Sequence, residues 1–271
     1  MLVAVCWTAS SRGFAVLKKR IVGTITVKNG WAVQSIGYRR YLPLGRPEII
    51  AENLDRWGAD EIIVLCIDRS RKQAGPDFEL IHRLGKMGLA TPVIYGGGIR
   101  TVEDGVEVIK SGADRLCVDA ILHDAPQVVA ELSRQLGSQA MVGAMPMTIE
   151  HGQRLWLNYR TGKQSVPGSA LLDLFTDRLI SEVLLIDWKN EGKQAGFDVE
   201  LIHSFQPTNI PLIVFGGLSD ERTLEGALAI QQVSAAAIGN FLNYREHTVQ
   251  RLKEKLVGLP LRQSEYSVQG L

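Results

Sequence analysis

The chain has 271 residues, 45% hydrophobic and 22% charged, which supplies a large core and leaves too little excess charge for disorder. A formal charge of +1 offers no basic field for nucleic acid or an anionic membrane surface, so neither is expected as a partner. Cys6, Cys66 and Cys117 lack CxxC spacing, and His82, His123, His151, His203 and His247 lack ligand spacing, so no metal or other cofactor is expected and a reducing, cytoplasmic location is.

Residues 1–16 carry a short apolar stretch with no cationic segment ahead of it. They are read as an extension, disordered or belonging to a mis-assigned start, and not as a signal peptide. No apolar run approaches the ~20 residues that span a bilayer. From Arg20 onward short apolar runs alternate with amphipathic ones. IVGTITV is the first predicted strand, followed by the long loop Asn29–Arg46 and the helical pattern PEIIAENLDRWG. EIIVLCI and DFELIHRLGKMG come next, then PVIYGG with VEDGVEVIKSG, and RLCVDA with APQVVAELSRQLG. Several of these helices close on a glycine suited to the C′ position. The second half supplies strands at Ala140–Met145, Glu182–Asp187, Pro211–Gly217 and Ser234–Asn240. After the first of these, His151–Arg160, with Trp156 and Tyr159, reads as a hairpin-like excursion able to cover one end of the fold. Strand–helix alternation of this kind predicts a parallel sheet.

An internal repeat sets the architecture. Lys72-Gln-Ala-Gly-Pro-Asp-Phe-Glu-Leu-Ile-His82 recurs 121 residues later as Lys193-Gln-Ala-Gly-Phe-Asp-Val-Glu-Leu-Ile-His203, and Gly97-Gly98-Ile99 recurs as Gly216-Gly217-Leu218. This period is too long for a solenoid, where repeats run to about 50 residues. Two copies of a four-strand unit make a single α/β domain, a (β/α)8 TIM barrel of two duplicated half-barrels over residues 17–260, with 261–271 a tail.

In such a barrel chemistry sits at the C-terminal ends of the strands. There the Gly96-Gly97-Gly98 and Gly216-Gly217 turns allow a ligand close to the backbone, and Asp119-Ala120 and Gly239-Asn240 end the neighbouring strands. Two amide cradles related by the repeat suit a ligand with a phosphate at each end. Tight βα turns alone also account for glycines at these positions.

The chain resembles the cyclase subunit of imidazole glycerol phosphate synthase along nearly all of residues 17–260, in LKKRIV, TVKNG, GADEI, GGGIRTVED, SGADR, LGSQAMV, NEGKQAGFD and FGG. The resemblance implies a two-phosphate barrel that takes ammonia from a glutaminase subunit in a heterodimer and closes an imidazole ring. It adds Glu191-Gly192 to the phosphate-binding outline and retains Lys28 at the end of the first strand. It also implies two acid–base aspartates, at the ends of the first and fifth strands, whose places here hold Thr26 and Pro146. Neither titrates near neutrality. A general acid or base contributes about 10²–10⁴-fold, so ring closure is expected to be absent or very slow. The related isomerase of the same pathway needs two such aspartates and is equally disfavoured. Asp68 and Asp187 are the candidates for a relocated pair.

At the opposite end the resemblance maps an ammonia gate onto Arg20, Glu61, Arg115 and Glu182, and partner docking onto Asp114 and Gln139. A ring of alternating charges can close by mutual salt bridges, and neutral ammonia crosses a narrow polar constriction more easily than ammonium. Bottom-face charge pairs in barrels also serve stability. The expected function is therefore a subunit that docks a glutaminase and conducts ammonia for an amidotransferase reaction, as in paralogues serving surface-sugar modification with a third protein that holds the sugar acceptor. The alternatives are an active cyclase of histidine biosynthesis with relocated groups, and a scaffold that binds a phosphorylated small molecule.

Overall fold

The computed structural model describes residues 18–194, 196–205, 208–240, 242, 247–256 and 258–263. The extension at 1–16 and most of the tail at 261–271 lie outside the described residues. In chain order the strands are β1 (Arg20–Lys28), β2 (Trp31–Ile36), β3 (Arg40–Gly45), β4 (Glu61–Cys66), β5 (Val93–Gly96), β6 (Arg115–Val118), β7 (Met141–Glu150), β8 (Gln153–Leu157), β9 (Gln164–Ser165), β10 (Glu182–Asp187), β11 (Leu212–Phe215) and β12 (Val233–Ile238). The helices are α1 (Pro47–Arg56), α2 (Phe78–Gly85), α3 (Val102–Lys110), α4 (Ile121–Asp124), α5 (Pro126–Leu136), α6 (Ser169–Thr176), α7 (Glu200–His203), α8 (Glu221–Leu228) and α9 (Thr248–Lys255). Strands β1, β4, β5, β6, β7, β10, β11 and β12 pair in parallel in that order, and β12 closes back on β1. The eight predicted strands are these eight.

Because the strands are covered on both faces, their residues divide by parity between two cores. Ile21, Ile25, Val27, Ile62, Val64, Val183 and Leu185 face the surrounding helices, whereas Val22, Ile63, Leu65, Ile94, Cys117, Val142, Ala144, Leu184, Ile186, Ile213, Phe215, Ala235 and Ala237 fill the lumen. The duplication shows in the turns. A Cβ on Gly97 or Gly216 would lie 2.4 or 2.5 Å from the carbonyl oxygen that ends the adjacent strand, of Cys66 or Asp187. A Cβ on Gly98 or Gly217 would lie 2.7 or 2.4 Å from the carbonyl of Gly75 or Gly196, the same residue of the repeated Lys-Gln-Ala-Gly segment. All four glycines have φ between +74° and +126°, so loop packing alone requires them. Helix α3 opens on a reciprocal Thr101–Asp104 capping box and its counterpart α8 on Asp220–Thr223.

Two excursions rise from the C-terminal end. Asn29–Arg46 folds as the antiparallel pair β2–β3, continuing from β1. β7 runs on to Glu150, past the predicted strand end at Met145, and turns back as β8, with Met147 opposite Trp156 and both buried.

Candidate functional site

At the N-terminal end of the lumen, Arg20, Glu61, Arg115 and Glu182 begin four barrel strands and meet in a closed ring. Arg20 donates to Glu61 at 2.7 Å and to Glu182, while Arg115 donates to Glu182 at 2.8 Å and to Glu61 at 3.4 Å. Ser234 donates to Glu182 at 2.8 Å, and Arg115 also donates to Ser181 Oγ and to the Gln139 carbonyl, both at 2.9 Å. Ser181 and Ser234 thus complete the ring's hydrogen bonding, a role invisible in spacing because each belongs to a different strand edge. Burial opposes the charge on Glu182, yet Arg20 and Arg115 hold its carboxyl below the ordinary carboxylate range. Just outside, Asp114 accepts from the Val93 N–H at 2.7 Å, and Asp114 and Gln139 are both exposed beside the ring.

Above the ring the lumen is apolar up to the two positions where proton transfer is expected. Thr26 and Pro146 are both buried. β6 ends opposite Gly143, so proline is tolerated where β7 has lost that neighbour. The candidates for a relocated acid–base pair are each held by other partners. Asp68 pairs with Lys72 at 2.6 Å and accepts from the Asn29 N–H. Asp187 is 2% exposed and accepts from Asn190 Nδ2 at 2.8 Å and the Asp198 N–H at 2.9 Å. One carboxylate ties the rim and the other organises the β10 loop, and they share no hydrogen-bond partner. Lys28 lies over the Tyr41 ring, 3.6 Å from its centroid.

The two predicted cradles differ. Gly192, Gly216, Gly217, Gly239 and Asn240 line one cavity of about 260 Å³ together with Thr26, Lys193 and Ser219. Glu191 lines the same cavity, and its carboxylate accepts from Ser35 Oγ at 3.0 Å and the Tyr38 N–H at 3.3 Å, fixing the first excursion. Asn240 likewise spends its side-chain amide on the Ser35 carbonyl at 2.8 Å. In the first half-barrel the Gly98 and Ala120 donors are already used. Gly98 N–H donates to Ser70 Oγ at 3.3 Å, and Ser70 donates to the Asp119 carboxylate at 3.1 Å. Burial pushes the Asp119 carboxyl up, against the pull of the Ala120 N–H and the Ser70 hydroxyl. Each cradle thus carries one buried carboxyl, Asp119 beside Gly97, Gly98 and Ala120 and Glu191 beside Gly216 and Gly217, and burial pushes both up.

Replacing Asp119 by asparagine keeps the shape and removes the buried ionisable carboxyl. Since the folded state holds this proton more tightly than the unfolded chain, ionisation costs stability as pH rises through and beyond the ordinary aspartate range near 4. Asp119→Asn is expected to raise Tm at neutral pH by about 2–4 °C, the span of about 1 kcal/mol in a chain of this size, with no gain at acid pH. Thermal melts across pH 4–8 check it.

Two burials went unread in the sequence. Trp188, directly after β10, is 6% exposed among the lumen-facing residues, and Tyr38 packs edge-on against Tyr159 with centroids 5.1 Å apart. Cys66 and Cys117 are buried free thiols, the former pushed up to about 12 by burial. Among the described residues no three His, Cys, Asp or Glu side chains gather as a metal site, and no helix is long and apolar enough to cross a membrane.

A family model described as histidine biosynthesis protein matches residues 20–248. The imidazole glycerol phosphate synthase subunit HisF of Alkaliphilus metalliredigens is 30% identical over 245 residues, covering 89% of this chain and 96% of that protein. Its namesake from Thermococcus gammatolerans is 31% identical over 253 residues, covering 91% and 98%. The HisF subunit of an Exiguobacterium species is 29% identical over 255 residues, covering 91% and 97%. With that match over most of its length, the chain belongs to the histidine biosynthesis protein family, among relatives of the HisF subunit of imidazole glycerol phosphate synthase.

Proposed function

We propose that this chain docks a glutaminase at the Arg20–Glu61–Arg115–Glu182 end and conducts ammonia along its lumen for an amidotransferase reaction, in surface-sugar biosynthesis, without closing an imidazole ring itself. The observation that carries this reading is the pairing of a complete charged ring at one end of the lumen with Thr26 and Pro146 at the other. Four ionic side chains withdrawn from water stabilise a fold weakly at best, because desolvation offsets their attraction. Their retention beneath a lumen with no acid–base pair at Thr26 and Pro146 therefore favours a transport role. Neutral ammonia enters an apolar lumen at small cost, whereas ammonium would have to shed its hydration. Partners are a glutaminase in a heterodimer and a further protein that presents the sugar acceptor; the compartment is the cytoplasm.

The test is reconstitution with a glutaminase encoded beside the chain, following glutamine hydrolysis and complex formation on a sizing column. Stimulation of roughly tenfold or more is expected, together with a heterodimer. Asp114→Arg, which places a cation on the exposed rim, is expected to weaken the complex by roughly tenfold, as like-charge juxtaposition and the loss of a charged contact do at interfaces. No complex and no stimulation would overturn the proposal.

A further inference from the structure

Above the lumen, between the two excursions, lies a cavity of about 310 Å³ that neither glycine cradle borders. Its walls are aromatic: Tyr38 and Tyr41 from the first excursion, Tyr159 from the second, and Trp188 from the end of β10. Arg39 and Arg71 line it as well, and neither guanidinium forms a salt bridge among the described residues. The Trp188 indole N–H is buried with no hydrogen-bond acceptor among them. Flat π faces seat a sugar or base ring, and arginines clasp phosphate through paired N–H donors.

We propose that this cavity binds a ring compound carrying a phosphate ester, a sugar phosphate or a nucleotide, with the ring against the Tyr38, Tyr159 and Trp188 faces and the phosphate between Arg39 and Arg71. The volume fits a small ligand of this class. Tyr38, Ile67 and Tyr159 also line a small cavity at the head of the lumen, with Leu65, Cys117, Ala144 and Ile186. The edge-on tyrosine pair therefore stands between the lumen and the ring site. Binding follows from the lining alone and does not depend on the conduit reading, in which a further protein presents the ammonia acceptor.

The experiment is calorimetric titration of the intact chain with inorganic phosphate, glucose 1-phosphate and UMP, with tryptophan fluorescence in parallel. At least one ring phosphate is expected to bind with a Kd below about 1 mM, roughly tenfold or more tighter than inorganic phosphate, and to quench fluorescence in the parent but not in Trp188→Phe. Preference for glucose 1-phosphate or for UMP identifies the source of the ring. Arg71 is exposed, so Arg71→Gln is expected to leave Tm unchanged while weakening binding about tenfold or more, the scale of one charge-assisted contact. Ser219→Asp, which puts an anion into the Gly216–Gly217 cavity, is expected to leave ring-phosphate binding intact. Absence of binding, equal affinity for all three probes, or loss on Ser219→Asp but not on Arg71→Gln would overturn the assignment. Because no glutaminase or ammonia is present, failure here is separable from failure of the conduit.

Discussion

Replacing Arg20 with methionine is expected to lower the unfolding free energy by about 3–5 kcal/mol, among the largest losses available to one substitution in this chain. Arg20 is 7% exposed and bonds both Glu61 and Glu182, so its removal leaves one carboxylate with only the longer contact to Arg115. The lost attraction is the smaller part of the effect; the larger is a buried anion stripped of its partner. Chemical denaturation at neutral pH measures it, and at 2–4 °C per kcal/mol the accompanying fall in Tm is about 6–20 °C. The pH dependence has a definite sign. Glu182 titrates below its ordinary value in the folded chain, so its contribution is present above the unfolded pKa near 4.3 and is lost as pH falls through the folded one. Arg20→Met is accordingly expected to flatten the acid limb of the stability profile. The joint substitution Arg20→Met, Glu61→Leu, Arg115→Met and Glu182→Leu is expected to recover most of the lost stability, because an apolar plug of similar volume carries no desolvation cost. Recovery of stability with loss of glutaminase coupling separates the transport role from a structural one. Failure to recover would return the ring to the ordinary account of bottom-face charges as stabilisers.

Legibility in the sequence followed periodicity. Eight runs such as EIIVLC and EVLLID, buried on both faces, announce parallel strands, and the repeated Lys-Gln-Ala-Gly segment fixes the half-barrel because Gly98 and Gly217 pack on the same glycine carbonyl of each copy. The ring was readable through the resemblance, since each member occupies the first position of a barrel strand or, for Arg20, the residue that opens β1. The upper end was harder. Asn29–Arg46 has no clean alternation, and its β2–β3 pair gains order from contacts distant in sequence, among them Glu191 with Ser35 and Tyr38 and Asn240 with the Ser35 carbonyl. No local pattern shows that an acidic residue and an amide expected beside phosphate also hold a loop over 150 positions away. Duplication likewise concealed a difference. Asp119 and Gly239 follow equivalent strands, so the buried carboxyl comes from the strand end in one half and from Glu191 after β10 in the other, which strand pattern does not show.

The chain is not expected to support growth of a histidine auxotroph, and with free ammonia its ring-closing rate is expected to lie at least about 10⁴-fold below that of a relative bearing both strand-end aspartates. Free ammonia matters, because it makes the assay independent of any glutaminase. Thr26 and Pro146 supply no proton donor or acceptor near neutrality, and Asp68 and Asp187 are held by Lys72 and by the β10 loop away from one another's partners. Restoring the acids tests how deep the change goes. Were the two positions the whole difference, Thr26→Asp with Pro146→Asp would return most of the activity. The rest of the upper end predicts otherwise: buried carboxyls, Asp119 and Glu191, sit at the two cradles, and Tyr38, Tyr159 and Trp188 occupy the mouth. Less than a tenfold gain is therefore expected from the double substitution. Adding Asp119→Asn is expected to improve binding of a bisphosphate substrate before it improves turnover, since it relieves repulsion at one end of the ligand without reordering the mouth. Growth of the auxotroph on the parent chain, or full recovery by the two aspartates alone, would show that the upper end still holds a ring-closing site.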